Sequence, residues 1–143
     1  MLLKNIKYND KALKKEIDAL VGPAFSWRER FRMKGIRSPK FKLVRASVSI
    51  EALLAVDNRR WLCTIELRPS GIILTFRSCL KTYGWIAPYR SLSIFKNEDY
   101  LSFYSNQYLV KVVWDTQSIA ANKFLMKLLK LKAQSSESEA MPR

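Results

Sequence analysis

The stretch that most constrains this fold runs from Trp61 to Arg77, WLCTIELRPSGIILTFR. In both arms, apolar side chains alternate with their neighbours at a period of two, which is typical of half-buried β-strands. Between the arms, Pro69-Ser70-Gly71 combines a fixed φ with a residue that is free to take a positive φ, and this is turn chemistry. The stretch therefore predicts a β-hairpin. Its predicted inward side chains are those of Cys63, Ile65, Leu67, Ile72, Leu74 and Phe76.

Alternation also predicts further strands on both sides of this hairpin. Residues 44–54 read as one long strand with a wet face, and residues 85–95 read as a strand interrupted at Pro88, which indicates an edge or a bulge. A second hairpin is predicted from residues 100–104 and 108–114, which are rich in aromatic and β-branched residues. Because consecutive strands are joined as hairpins, the sheet is expected to be mainly antiparallel.

Two amphipathic helices flank the predicted strands. Residues 11–21, KALKKEIDALV, carry apolar side chains at the spacing of one helical face, and Gly22-Pro23 stops this helix. A second helix, capped by Asp115 or Thr116, is expected to run to about Lys132 and to cover the hairpin. Its covering side chains are Phe124, Leu128 and Leu131. The fold class predicted is mainly β: an antiparallel roll or barrel of six to seven strands capped by a C-terminal helix, with an additional N-terminal helix.

The segment 27–34, WRERFRMK, is open to two interpretations. As a strand it places its basic side chains on one side as a cationic ribbon, whereas as a helix it spreads them around the axis. Together with the loop that follows, it supplies the candidate residues for binding an anion or a lipid. These are Arg28, Arg30, Arg32, Lys34, Arg37, Lys40 and Lys42.

The charge of the chain favours an anionic partner. Lys and Arg total 26 against 12 Asp and Glu, giving a net charge of +14, and residues 1–46 alone hold 13 basic and 4 acidic side chains. A positive field of this kind attracts nucleic acid or an anionic membrane surface. Interleaved Trp27, Phe31, Met33 and Phe41 can insert at an interface or stack on bases, so the segment supports both hypotheses. The third alternative is solvated surface charge without a ligand.

The sequence lacks the residues of the common catalytic sites. It contains no His and no CxxC motif, which excludes a His general base, a Ser/His/Asp triad and a zinc site built from these ligands. The glycines are too widely spaced for a phosphate-binding loop. Glu51 and Glu66 are expected to pair with arginines rather than to form a catalytic pair. Those arginines are Arg45, Arg68 and Arg77. We therefore predict a non-enzymatic protein with no cofactor and no metal site.

From residue 44 to residue 132 the order of elements resembles that of pleckstrin-homology-like (PH-like) domains of the bacterial kind. The resemblance rests on the stretches IELRPSGIILTFR, WIAPYRSLSIF, YLSFYSNQYLVKVVW and ANKFLMKLLKLK. It implies a binding scaffold that presents loops to anionic lipid headgroups, or grooves and edge strands to peptides and protein partners. Members that recognise phosphoinositides carry a basic pattern between their first two strands. The nearest equivalent here is Arg32, Lys34, Arg37, Lys40 and Lys42.

These inferences divide the chain into a basic amphipathic N-terminal helix (1–24), a PH-like domain (25–133) and a flexible tail (134–143). The expected function is binding at an anionic membrane surface or lipid headgroup, or to a protein partner there. Two alternatives remain open: nucleic-acid binding through residues 28–45, and protein–protein interaction, including a homo-oligomer formed along an edge strand, without an anionic ligand.

The expected location is the cytoplasm, peripheral to the inner face of the membrane. Cys63 and Cys79 are too few for a disulfide framework, which fits a reducing compartment. Charges recur from Lys4 onward, so neither a signal peptide nor an apolar run of membrane-spanning length is expected.

Overall fold

The computed structural model describes residues 2–5, 11–57, 61–78 and 81–140. The strands are β1 (Leu2–Asn5), β2 (Phe41–Ala46), β3 (Leu62–Leu67), β4 (Gly71–Ser78), β5 (Lys81–Pro88), β6 (Leu92–Lys96), β7 (Tyr100–Ser105) and β8 (Tyr108–Val113). The helices are α1 (Lys11–Val21), α2 (Trp27–Met33), α3 (Val48–Asp57) and α4 (Ile119–Ala140), and a 3-10 turn at Tyr89–Ser91 joins β5 to β6.

All strand pairs are antiparallel, and the strands form one sheet in the order β1-β5-β4-β3-β2-β8-β7-β6. The strand β2 belongs to both halves of this sheet, because Phe41 and Lys42 pair with β3 whereas Leu43 and the residues after it pair with β8. The register shifts between Leu43 and Arg45, and such an irregularity bends a strand. The sheet is therefore a bent, open roll. The prediction of a mainly β, antiparallel fold with an N-terminal and a C-terminal helix is confirmed; β1 is a strand that the sequence analysis did not predict.

The predicted hairpin is present as β3 and β4, with the expected register. Cys63 pairs with Phe76, and the pairing continues residue by residue until Leu67 lies opposite Ile72 beside the turn. At the turn, the Arg68 N–H donates to the Gly71 carbonyl at 3.0 Å. All six predicted inward side chains are buried in the main core, where Phe124 and Leu128 of α4 join them. The predicted hairpin is therefore confirmed, although Gly71 at its turn does not take a positive φ.

A second, smaller core lies on the opposite face of the hairpin. It consists of Leu13, Ile17 and Val21 from α1 together with Ile73 and Ile86 from the sheet. Simple alternation assigns Ile73 to the wet face of its strand, yet the residue is buried because α1 covers it. The N-terminal helix thus packs on the sheet as an integral layer.

The strand predicted over residues 44–54 is wrong beyond Ala46, where α3 begins instead. The Ser47 carbonyl accepts hydrogen bonds from the N–H groups of Ile50 and Glu51 at 2.9 Å each. The Ala46 N–H donates to Glu51 Oε1 at 3.0 Å, which satisfies the backbone where the strand gives way to the helix. Glu51 therefore lies on a helix and serves the backbone, in place of the predicted strand position beside an arginine.

The C-terminal helix differs from its predicted bounds at both ends. Ser118 caps it, since its Oγ accepts a hydrogen bond from the Ala121 N–H at 3.1 Å, whereas Asp115 accepts from Gln117 in the preceding turn. The helix continues to Ala140, where the sequence predicted a flexible tail from residue 134. Ala, Gln and Glu in this stretch are good helix formers, so a helix that is already anchored on the core extends through them.

No helix within the described ranges is long and apolar enough to cross a membrane.

Candidate functional site

The segment 27–34 folds as the short helix α2, and the cationic ribbon does not form. A capping box starts the helix: Glu29 N–H donates to Ser26 Oγ at 3.3 Å, and Ser26 N–H donates to Glu29 Oε1 at 3.1 Å. Lys34 ends it in the left-handed region, at φ 60° and ψ 41°. The signal Ser-x-x-Glu is visible in the sequence and would have decided between the two interpretations.

Buried residues at both ends hold α2 on the domain. Phe25 precedes the helix and Ile36 follows it, and both lie in the main core. Arg30 Nε donates to the Phe25 carbonyl at 2.9 Å. Beyond the helix, the Ile36 carbonyl accepts from the Leu67 N–H at 2.8 Å, which ties the chain to the edge of β3. The position of α2 is therefore fixed, although none of its own residues is buried.

The outer face of α2 carries two large aromatic side chains. Trp27 is 74% exposed and Phe31, one helical turn later, is 84% exposed. With Arg30, Lys34 and Gly35 they line an open depression of about 540 Å³. Two large exposed aromatic rings on one fixed helix make α2 a candidate contact site.

Four of the predicted basic residues lie on the same short helix as these aromatic rings or at its end. Arg28 and Arg32 are exposed on α2, and the Arg28 guanidinium carbon lies 5.7 Å from the centroid of the Trp27 ring. Arg30 and Lys34 line the depression itself. We call the outward side of α2, with Trp27, Arg28, Arg30, Phe31, Arg32 and Lys34, the basic–aromatic surface. Glu29, the acid of this helix, is engaged in the capping box.

The remaining three predicted residues lie outside this surface. Arg37 Nη2 is 3.3 Å from Glu66 Oε1, so its charge is paired. Lys40 is exposed just before β2, and Lys42 is exposed on β2 opposite Leu62. The predicted basic residues therefore do not form one surface. They lie on α2 and at its end, in the loop before β2, and on β2 itself, and Arg37 in that loop is paired with Glu66.

A residue that the sequence analysis missed, Lys127 of α4, contacts the end of α2. Its Nζ donates to the carbonyls of Lys34 and Gly35, each at 3.2 Å. Partial burial lowers the pKa of Lys127, and the nearby ammonium groups of Lys123 and Lys34 lower it further. Nothing in the sequence relates these positions, because the contact joins residues 93 apart.

Two titratable side chains of the described core, Cys63 and Tyr89, stay protonated at neutral pH because they are buried. Burial raises the pKa of the Cys63 thiol to about 12, so the thiol stays protonated and inert at neutral pH. Burial also raises the pKa of Tyr89, whose hydroxyl donates to the Arg68 carbonyl at 2.8 Å. Glu66, weighed above as half of a carboxylate pair, instead bonds Arg68 as the sequence predicted, with Nε and Oε2 2.6 Å apart.

Comparisons of this chain with protein-family models, with curated proteins and with solved structures gave no match.

Proposed function

We propose that this protein is a non-enzymatic binding module of PH-like architecture that docks on an anionic membrane surface through its basic–aromatic surface. The observation that carries the proposal is the exposed pair Trp27 and Phe31 on α2, surrounded by basic side chains. The two antiparallel meanders β2–β5 and β6–β8, joined through β2 and β8 and followed by α4 against the main core, support the PH-like part of the proposal.

The two kinds of side chain contribute different energies to such docking. Transfer of a large aromatic ring from water into the interfacial region is favourable by roughly 1.5–3 kcal/mol when it is fully buried. Each Lys or Arg near an anionic leaflet adds about 1 kcal/mol, and this part is screened by salt. Neither contribution alone anchors a protein, but their combination on one fixed helix does.

The geometry of α2 suits a flat, soft surface better than a groove. The helix has seven residues and projects both rings outward while its ends stay fixed by Phe25 and Ile36. The net positive charge of the chain points the same way, because long-range attraction to an anionic leaflet brings the rings to the headgroups.

Vesicle co-sedimentation tests this proposal. The wild-type chain should bind phosphatidylcholine vesicles that contain phosphatidylserine, and it should not bind pure phosphatidylcholine. The double variants Trp27→Ser with Phe31→Ser and Arg28→Ser with Arg32→Ser should each weaken binding by about tenfold or more, which corresponds to about 1.4 kcal/mol.

Two matched controls separate this surface from general charge and apolarity. Phe95 on β6 is 61% exposed, so Phe95→Ser removes an exposed aromatic ring from a different element. The variant Lys14→Ser with Lys15→Ser removes two exposed charges from α1. Both controls should bind within about twofold of the wild type, since neither site belongs to the basic–aromatic surface.

Fluorescence quenching independently measures how deeply Trp27 inserts into the membrane. Lipids brominated near the headgroup should quench the fluorescence of the wild type, and Trp27→Phe should lose that quenching while it keeps its binding. Absence of vesicle binding would overturn the proposal. Binding to random RNA or DNA instead would favour the nucleic-acid alternative, and binding to neither polyanion would leave a protein partner.

A further inference from the structure

We infer that the junction between α2 and α4 is a site for a lipid headgroup that ends in a phosphate monoester, with Lys127 as its central donor. The inference rests on the membrane docking proposed above and specifies which anionic lipid that surface prefers. Three lysines form the site: Lys34 from the end of α2, and Lys123 and Lys127 from α4.

The first step is the geometry of Lys127. Its ammonium group has three N–H donors, and the carbonyls of Lys34 and Gly35 each accept a hydrogen bond from it at 3.2 Å. These two bonds fix the ammonium group at the end of α2, beside residues that line the depression under Trp27. Within the described residues no acceptor takes the third N–H, so a positioned donor remains for an anion.

The second step is the charge around this ammonium group. Lys123 lies one helical turn before Lys127 on α4, and both its charge and that of Lys34 act on Lys127. In the described ranges no carboxylate forms an ion pair with any of the three lysines. The like charges of Lys123 and Lys34 act on the ammonium group that the two carbonyls position, and a bound anion that carries more than one charge relieves this repulsion.

The third step is the choice of anion. A phosphate monoester carries about −1.5 to −2 charges at neutral pH and three strong acceptor oxygens. A phosphodiester headgroup carries a single phosphate charge with fewer accessible oxygens, so it satisfies fewer of the three ammonium groups. Trp27 and Phe31, in the depression that Lys34 also lines, are placed to contact the apolar part of the lipid that a soluble phosphate lacks.

A purely structural role for Lys127 makes a different prediction. Lysine near the C-terminal end of a helix stabilises that end through its carbonyls and the helix dipole. If capping were its whole role, loss of Lys127 would loosen α2 and weaken binding to every anionic vesicle equally. Selectivity between lipids therefore separates the two roles.

The experiment compares phosphatidylcholine vesicles that contain phosphatidic acid with vesicles that contain phosphatidylserine, at fractions matched for zeta potential. The wild type should bind the phosphatidic acid vesicles about tenfold more tightly, because charge-assisted bonds to the monoester add to the surface attraction. Lys127→Gln should lower this preference to about one, and it should weaken phosphatidylserine binding by no more than about fivefold, as expected for loss of one surface charge. The matched control is Lys130→Gln, which removes one exposed charge from the same helix and should keep the preference.

A second variant keeps the test decisive if Lys127→Gln disturbs α2. Among the described residues Lys123 makes no hydrogen bond to α2, so Lys123→Gln leaves the cap in place and should still reduce the preference. Equal wild-type affinity for the two matched vesicles would overturn the phosphate site and leave the membrane proposal standing. If the wild type bound neither kind of vesicle, the phosphate site and the membrane proposal would both be overturned. Competition by millimolar glycerol 3-phosphate would show that a soluble phosphate monoester suffices, and it would overturn the lipid as the source.

Discussion

Arg68 Nε lies 2.6 Å from Glu66 Oε2, and the same guanidinium reaches across to α1. Its Nη1 donates to Asp18 Oδ1 at 3.1 Å and to the Gly22 carbonyl at 3.0 Å. The side chain is only 13% exposed. One arginine thus joins the central hairpin to the N-terminal helix and adds to the apolar contacts that pack α1 on the sheet.

Replacement of this arginine should release α1 from the hairpin. Arg68→Met leaves Glu66 and Asp18 without their shared partner, so we expect the free energy of unfolding in urea to fall by about 2–3 kcal/mol. Arg68→Lys should not restore it, because a single ammonium group cannot reach three acceptors in the fork geometry of guanidinium. Asp18→Asn, which weakens one partly exposed contact, should cost less than about 1 kcal/mol. An Arg68→Met chain as stable as the wild type would contradict this role.

Gly71 is the second determinant of how α1 approaches the sheet. A Cβ at this position would overlap Val21 Cγ1 and would lie 2.5 Å from the Ala87 carbonyl oxygen and 2.9 Å from Pro88 Cα. Backbone atoms of β5 cannot yield as a flexible side chain can, so Gly71→Ala should destabilise the protein by about 2–4 kcal/mol in thermal or urea unfolding. Adding Val21→Ala should not restore stability, since the clash with β5 remains. Stability equal to wild type would show that β5 shifts freely.

The central hairpin, α1 and the covering part of α4 could be predicted from sequence, because local periodicity there coincides with burial. Over residues 44–54 the periodicity of apolar residues does not coincide with burial. Ala46, Ile50 and Leu54 are buried at a spacing of four, which suits both a strand and a helix. Val48, the position between them, is 84% exposed and distinguishes the two. Only the tertiary structure reveals that exposure, so alternation alone gave the wrong element.

The candidate site shows the same division between local and distant information. The capping box of α2 is local, and the pattern Ser26-x-x-Glu29 could have identified the helix. The contact of Lys127 with the end of α2 is distant and depends on how α4 crosses the core, which no local pattern encodes. The composition indicated a basic surface, but that lysines of α4 lie beside the end of α2 could be seen only in the folded structure.

The buried thiol of Cys63 should make stability depend on alkaline pH. Burial raises its pKa from the ordinary value of 9.0 to about 12, so the folded chain keeps a proton that the unfolded chain loses. Stability is therefore unaffected by this group below pH 9 and falls as pH rises from 9 towards 12, by up to about 1.4 kcal/mol per pH unit. Burial also raises the pKa of Tyr89, so stability falls more steeply once the pH exceeds the ordinary pKa of tyrosine.

Urea unfolding of the wild type and of Cys63→Val between pH 8 and pH 10.5 isolates the cysteine contribution. The difference in slope should appear above pH 9 and should be absent below it. In a Cys79→Ser background, alkylation of Cys63 should also be slow in the folded chain and should follow the rate of unfolding, since the side chain is 2% exposed. Identical pH dependence of the two chains would contradict the assignment.

The capping box at Ser26 links local stability to the proposed membrane contact. Ser26→Ala removes the acceptor of the Glu29 N–H, which should cost about 1 kcal/mol of α2 stability. Trp27 and Phe31 are aligned only while the helix is formed, so in the variant part of the binding free energy is used to form the helix. Binding to phosphatidylserine vesicles should therefore weaken by up to about fivefold. Hydrogen exchange over residues 27–34 should accelerate by a similar factor.

The matched control for this prediction is Ser118→Ala, which removes the equivalent capping acceptor from α4. This variant should accelerate exchange at the start of α4 and leave exchange across α2 unchanged. If Ser26→Ala accelerates exchange in α2 without weakening vesicle binding, the aromatic pair does not need the helix, and the basic–aromatic surface is not the structured docking element proposed here. The two variants differ only in which helix they loosen, so the comparison assigns the effect to α2 itself.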